Sequence, residues 1–145
     1  MSLDGVYDPA NIFARMIRGE IPAHKVYEDD QTLAFMDLFP QTRGHVLVIS
    51  KTAAARNLLD LDPSALPPLM ATVQKVARAV NAALTPDGLM IAQFNGAPAG
   101  QTVFHLHFHI LPRYEGQTLK GHGQTSMADG AELAALATQI AAALG

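Results

Sequence analysis

The chain has 145 residues, 49% of them hydrophobic and 16% charged, which suits one domain with a real core and excludes a disordered chain. Its net charge of −3 argues against a broad basic face for duplex nucleic acid, so an anionic ligand would have to be held by local donors. The chain has no cysteine, no apolar run of membrane length and no signal-like leader at Met1-Ser2-Leu3-Asp4. Disulfides and thiolate metal sites are therefore excluded, and the expectation is a cytoplasmic protein with no membrane or nucleic-acid partner.

Residues 1–10 read as a loose lead-in with Gly5 and Pro9. Ile12, Phe13, Met16 and Ile17 then fall at helical spacing, and Gly19 ends a short amphipathic helix whose apolar side chains belong in a core. Lys25–Asp29 and Thr32–Asp37 form a hairpin turning at Asp29-Asp30-Gln31, with Asp37 a turn or cap residue closing the apolar run from Leu33 to Met36. A loop over 39–44 leads to a strand over His45–Ile49, where His45 is a polar strand-start residue. Asp62–Leu84 is the main helix, with Asp62 as N-cap and Pro63 at the first position; Pro67 and Pro68 push its start later. Leu89–Phe94 is a strand, joined by the loop Asn95–Gln101 to an antiparallel neighbour. Glu115–Asp129, rich in Gly and Gln with Lys120 and His122, is either mobile or wraps over a site, and Ala131–Leu144 is a second helix. About five strands in hairpin order, a main helix and a C-terminal helix make an α+β fold with an antiparallel sheet, as one domain over residues 1–145.

The chemistry concentrates in Gln101-Thr102-Val103-Phe104-His105-Leu106-His107-Phe108-His109-Ile110-Leu111. From Val103 this reads as a strand, which puts His105, His107 and His109 on one face and Leu106, Phe108 and Ile110 on the other. Chance would place three histidines at alternating positions in only about 1% of chains of this length and histidine content, so the row calls for a reason. Three readings stay open on the pattern alone: catalysis, a metal site, or a polar sheet face. The small-residue loop Asn95–Thr102 before the row lets backbone N–H groups approach a ligand, and no carboxylate follows until Glu115, so a phosphate suits the setting better than a metal.

His105-Leu106-His107-Phe108-His109-Ile110-Leu111 resembles the His-φ-His-φ-His-φ-φ signature (φ hydrophobic) of the histidine triad family, and Gly100–Phe104 is similar to the run that precedes it there. The segments 12–23, 27–37 and 44–49 resemble earlier blocks of that family, so the likeness covers roughly residues 11–115. Residues 116–145 form a C-terminal extension of the kind found in the longer bacterial branch.

The resemblance implies an α+β histidine-triad fold, usually dimeric, acting on a purine nucleotide without a cofactor. It implies nucleophilic attack by His107, with His105 and His109 orienting it and assisting the leaving group and His45 supporting them as a fourth histidine. Ile12, Phe13, Met16, Phe35 and Leu38 would form the base wall, Asp37 would bond the ribose hydroxyls, and Asn95, Gln101 and Thr102 would hold phosphate oxygens. The reaction expected is hydrolysis or transfer of a nucleoside 5′-phosphoryl group from phosphoramidates or adenylates, through a covalent nucleotidyl-histidine. The rivals are dinucleoside polyphosphate cleavage, a nucleotide-binding regulator with little turnover, and a His-x-His metalloenzyme, which would need carboxylate or Cys ligands that the motif strand does not offer. One departure stands out: many bacterial relatives bind a structural zinc through Cys-x-x-Cys where this chain has Asn11-Ile12-Phe13-Ala14, so no metal is expected here.

Overall fold

The structure is a computed structural model that describes residues 3–121 and 126–145; His122, singled out above, lies outside them. The elements run α1 (Ile12–Ile17), β1 (Lys25–Glu28), β2 (Thr32–Met36), β3 (Val46–Ser50), α2 (Leu66–Leu84), β4 (Gly88–Ala92), β5 (His107–Arg113) and α3 (Gly130–Ala142). The strands form one five-stranded sheet in the order β1-β2-β3-β5-β4, with every neighbouring pair antiparallel. The α+β expectation holds.

Period-2 alternation sorts the side chains between two faces. Ala34 and Met36 of β2, Val46 and Val48 of β3, and Phe108 and Ile110 of β5 pack into one cluster with Leu69, Val73, Val76 and Val80 of α2 and Leu133, Leu136 and Ile140 of α3. At ~1.5–3 kcal/mol for each large aliphatic side chain fully buried, this face carries most of the hydrophobic stabilisation. Where β2 meets α2, the buried Thr32 and Thr72 hydroxyls pair at 2.7 Å, so neither polar group is left unsatisfied. The opposite face is smaller. Leu33, Phe35, Leu47 and Ile49 meet Phe13 and Met16 of α1 there. Asn11 fixes α1, because its side-chain oxygen accepts from the backbone N–H groups of Phe13 and Ala14 at 3.0 and 2.9 Å.

Four local expectations need correcting. The main helix begins at Leu66: Asp62 instead caps a short 3-10 turn, Pro63–Ala65, accepting from Ser64 N–H. Pro67 fits inside the first helical turn because that turn's N–H groups have no helical acceptor. β5 begins at His107, not Val103, and its first pairing with β3 is His107 opposite Ile49. Residues 103–105 bend, and Leu106 N–H donates to the Ala55 carbonyl at 2.9 Å, which ties the chain to the segment after β3. His105 is thus not in the strand. The N-terminal lead-in is docked as well: the Leu3 carbonyl accepts from the side-chain amide of buried Asn57 at 3.0 Å.

Where it is described, the segment after Tyr114 is hydrogen-bonded to the loop between β2 and β3. Lys120 N–H donates to the Gln41 carbonyl at 3.1 Å, and the Gln41 side-chain amide donates back to the Lys120 carbonyl at 2.6 Å. Ala128 N–H reaches the Leu38 carbonyl at 2.9 Å. Both ends fasten the C-terminal segment to the loop between β2 and β3.

Gly44, at the end of that loop, has φ +89°, and a Cβ there would collide with the Leu84 side chain. Only glycine serves both needs, a left-handed backbone and a close approach to α2, immediately before His45.

Candidate active site

A cavity of about 420 Å³ opens on the α1 side of the sheet. Helix α1 supplies Ile12, Phe13 and Met16 to its wall, β2 and its exit supply Phe35, Asp37, Leu38 and Phe39, and β3 supplies Leu47. Thr102, Val103, His107 and His109 complete the lining. Phe13 stands edge-on to Phe35 with ring centroids 5.2 Å apart, a favourable aromatic geometry that sets the apolar half of the cavity. The same Phe13 ring stands edge-on to His107 at 5.0 Å, so apolar wall and imidazole share a border.

Hydrogen bonding decides where the ring protons sit, because a carbonyl oxygen can only accept. His107 Nδ1 lies 2.7 Å from the His105 carbonyl, so Nδ1 carries the proton and Nε2 is the basic nitrogen. Gln41 N–H donates to His45 Nδ1 at 3.2 Å, which puts the His45 proton on Nε2. That Nε2–H donates to His109 Nδ1 at 2.9 Å, so His109 carries its own proton on Nε2. One ring lining the cavity is a nucleophile or base, and its neighbour at a centroid distance of 4.9 Å is a proton donor. Both sit on one face of one strand. His105 lies behind them, with Nε2–H donating to the Ser50 carbonyl at 3.1 Å and Nδ1 2.6 Å from the Tyr7 hydroxyl. Burial lowers the pKa of His105 from its ordinary value, against the opposing pull of the Ser50 carbonyl, so its ring is held neutral.

Asp37 is the expected turn cap, and it also borders the cavity. One carboxylate oxygen accepts from Phe39 N–H at 2.8 Å, and the other lies 3.5 Å from His45 Nδ1. Asn95 and Gln101 do not border it. The Asn95 side-chain oxygen accepts from Leu58 N–H at 2.9 Å and from the Gln93 amide at 2.7 Å. Gln101 is 3% exposed: its side-chain oxygen accepts from Gly96 N–H, and its amide donates to the carbonyls of Arg56 and Val103. These two amides hold the glycine-rich loop in shape, and Thr102 is the residue of that trio that reaches the cavity. His105 and His45 are also absent from the wall, each hydrogen-bonded to a histidine that lines it.

Sequence reasoning missed Leu47, Phe39, Val103, Phe94 and Tyr7. Leu47 was within reach, since it lies opposite His109 in the sheet and alternation puts it on the histidine face. The Phe94 ring stands 5.2 Å from that of His109, at the end of a loop whose path no periodicity predicts. Tyr7 gave no signal at all.

The structural zinc implied by the bacterial relatives does not fit these residues. Asn11 uses its side-chain oxygen as a helix cap, and Ala14 offers no donor atom. Among the described residues, Asp37, His45 and His109 place potential ligand atoms within 4.8 Å of one another. Both His45 nitrogens are already engaged there, one accepting from Gln41 and the other donating to His109, so an ion would have to break one of those bonds.

Comparison with known proteins agrees with this geometry. The HIT domain matches residues 18–116. Protein hit of Bacillus subtilis is 45% identical over 103 residues, covering 71% of this chain and 70% of that protein. An Arabidopsis thaliana protein, adenylylsulfatase HINT3, is 38% identical over 108 residues, which span 74% of this chain and 54% of the plant protein. The crystal structure of a Hit-like protein involved in cell-cycle regulation from Bartonella henselae superimposes with a TM-score of 0.88 at 50% identity, covering 96% of this chain and all of that one. With the matched region carrying both cavity-lining histidines on the shared sheet, the chain belongs to the HIT domain family.

Proposed function

We propose that this chain hydrolyses or transfers nucleoside 5′-monophosphoryl groups through a nucleotidyl intermediate on His107. The observation that carries the reading is the fixed tautomer of that ring, with Nδ1–H spent on the His105 carbonyl and the basic Nε2 on a ring that lines the cavity. Imidazole is substantially unprotonated at neutral pH, unlike Lys, and so is competent to attack phosphorus. Attack by Nε2 forms a P–N bond and breaks the bond to the leaving group, which departs with the electron pair and takes the proton from His109 Nε2–H. Water then attacks phosphorus and releases the nucleoside monophosphate. The P–N pair returns to Nε2, and a proton from that water restores His109.

The apolar wall from Phe13 to Leu38 offers contact area to a purine but no donors that read a base edge, so base selection is weak. Asp37 can accept from both ribose hydroxyls, and Thr102 can donate to a phosphate oxygen. The plant relative's name points to adenylyl sulfate, and adenosine 5′-phosphoramidate offers the same phosphorus with a nitrogen leaving group. The lack of cysteine fits work in a reducing compartment such as the cytoplasm. The assembly is a homodimer, in which a second copy covers exposed Met70 of α2 and Ile91 of the outer strand β4. Light scattering at micromolar concentration should return twice the monomer mass.

The deciding experiment compares release of AMP from adenosine 5′-phosphoramidate, adenylyl sulfate and a diadenosine polyphosphate. Turnover of the first two with wild type and none with His107→Ala is the expected result. Rapid quenching at alkaline pH should find labelled nucleotide on the peptide holding residues 105–109. Preference for the polyphosphate would shift the substrate class. AMP binding without any turnover would make the chain a nucleotide-binding regulator instead.

A further inference from the structure

The N-terminal arm brings one chemically active group to the back of the histidine row. The Tyr7 hydroxyl lies 2.6 Å from His105 Nδ1, and its ring stands edge-on to that imidazole at a centroid distance of 5.6 Å. The direction of this bond is fixed. His105 Nε2 faces the Ser50 carbonyl at 3.1 Å and must carry the ring's proton, so Nδ1 accepts and the tyrosine donates. His105 is thus pinned at both nitrogens while its own backbone carbonyl, 2.7 Å from His107 Nδ1, sets the tautomer of the attacking ring. The arm is held in place from a second point by the bond between the Leu3 carbonyl and Asn57. Leu3 and Tyr7, the arm's two points of attachment, lie before residue 18, where the HIT domain match begins.

We infer that Tyr7 is a positioning residue: by donating to His105 it holds the carbonyl that keeps the proton of His107 on Nδ1 and the reactive lone pair on Nε2. The inference rests on the proposed role of His107 but concerns a different residue, one that touches neither the cavity nor the substrate. Without the hydroxyl, a ring that is 2% exposed keeps only one of its two bonded nitrogens. It can then relieve the unsatisfied Nδ1 by turning or by exchanging tautomer, and either change loosens the carbonyl aimed at His107.

Tyr7→Phe tests this, because it keeps the ring contact and removes only the O–H. The expected result is a fall in kcat of about tenfold, the size of one lost hydrogen bond, with KM for adenosine 5′-phosphoramidate changed by less than about twofold. Imidazole nitrogen-15 spectra, which need no substrate, should show His105 losing its single tautomer and His107 Nδ1–H exchanging faster with water. 3-Fluorotyrosine at position 7, a stronger donor of the same shape, should retain kcat and shift the His105 Nδ1 resonance. Wild-type kcat with unmoved His105 and His107 spectra in Tyr7→Phe would overturn the inference. So would a loss of activity that follows thermal stability alone with those spectra unchanged. If Tyr7→Phe does not fold, an unmoved His105 resonance in the fluorotyrosine protein overturns it. If no substrate is turned over, the spectra still decide the role of Tyr7, whereas the reading of His107 as a nucleophile falls separately.

Discussion

Along β5, Phe108 and Ile110 turn toward α2 and vanish into a cluster of aliphatic side chains, while His107 and His109, each one residue away, turn toward the cavity. Both sets are buried, but they are buried differently. The α2 side is filled by groups that need nothing but close packing, so its contribution scales with area removed from water. The α1 side buries imidazoles that need polar partners, and it supplies two backbone carbonyls, a backbone N–H, a tyrosine hydroxyl and the pairing of His45 with His109, while His107 and His109 also line the cavity. A strand's two-residue period lets one rigid element serve both purposes. Stability and chemistry can then be perturbed almost independently.

The sharpest way to test that separation is His107→Ala. Turnover should drop by at least about 1000-fold, or ~4 kcal/mol of barrier, while binding of AMP stays within about threefold of wild type, because the proposed base and ribose contacts lie elsewhere. His107→Asn, which keeps shape and polarity but no nucleophile, should be equally inactive. Isothermal calorimetry beside the rate assay checks both halves. Leu69→Ala on the opposite face should reverse the pattern. It leaves a cavity under α2 costing ~2–5 kcal/mol of stability, while kcat per folded molecule stays near wild type well below the melting point. Equal damage to kcat would show that the two faces are coupled.

Gly44→Ala probes the point where the faces meet. The left-handed backbone and the approach to Leu84 together predict a loss of ~1–3 kcal/mol, measurable as a lower denaturant midpoint. A smaller disturbance of kcat should accompany it, because His45 is the next residue.

The mildest expected effect is on pH dependence. The folded pKa of His105 is lowered by burial, so as acid is added the unfolded chain takes up this proton first. The stability contributed by neutral His105 is complete above its unfolded value of about 6.5 and is lost as pH falls through the lower folded value. Denaturant titrations between about pH 7.5 and 5 should show it, and replacing His105 by Gln should flatten the slope.

How much of this was written plainly in the sequence follows from the range of the interactions. Alternation in a strand and helical spacing are local, so α2, the hairpin of β1 and β2, and the grouping of His107 with His109 could be read directly. The start of β5 could not. Val103 and Phe104 have strand chemistry, but a bond from Leu106 N–H to Ala55, some fifty residues back, bends the chain there. Asn95 and Gln101 were legible as polar residues next to a phosphate-like loop, yet their partners Leu58 and Arg56 belong to a distant segment, and those partners occupy their amides. Tyr7 is the extreme case. A single aromatic in a polar arm has no period, and its meaning comes entirely from a histidine 98 positions later.

The pair of hydrogen bonds between Gln41 and Lys120 ties the C-terminal segment to the loop that leads into His45. Gln41 also supplies the N–H that His45 Nδ1 accepts, so one residue both fastens the tail and orients the ring that donates to His109. Shortening, fusing or exchanging the sequence after Tyr114 therefore alters what holds the loop that carries this N–H.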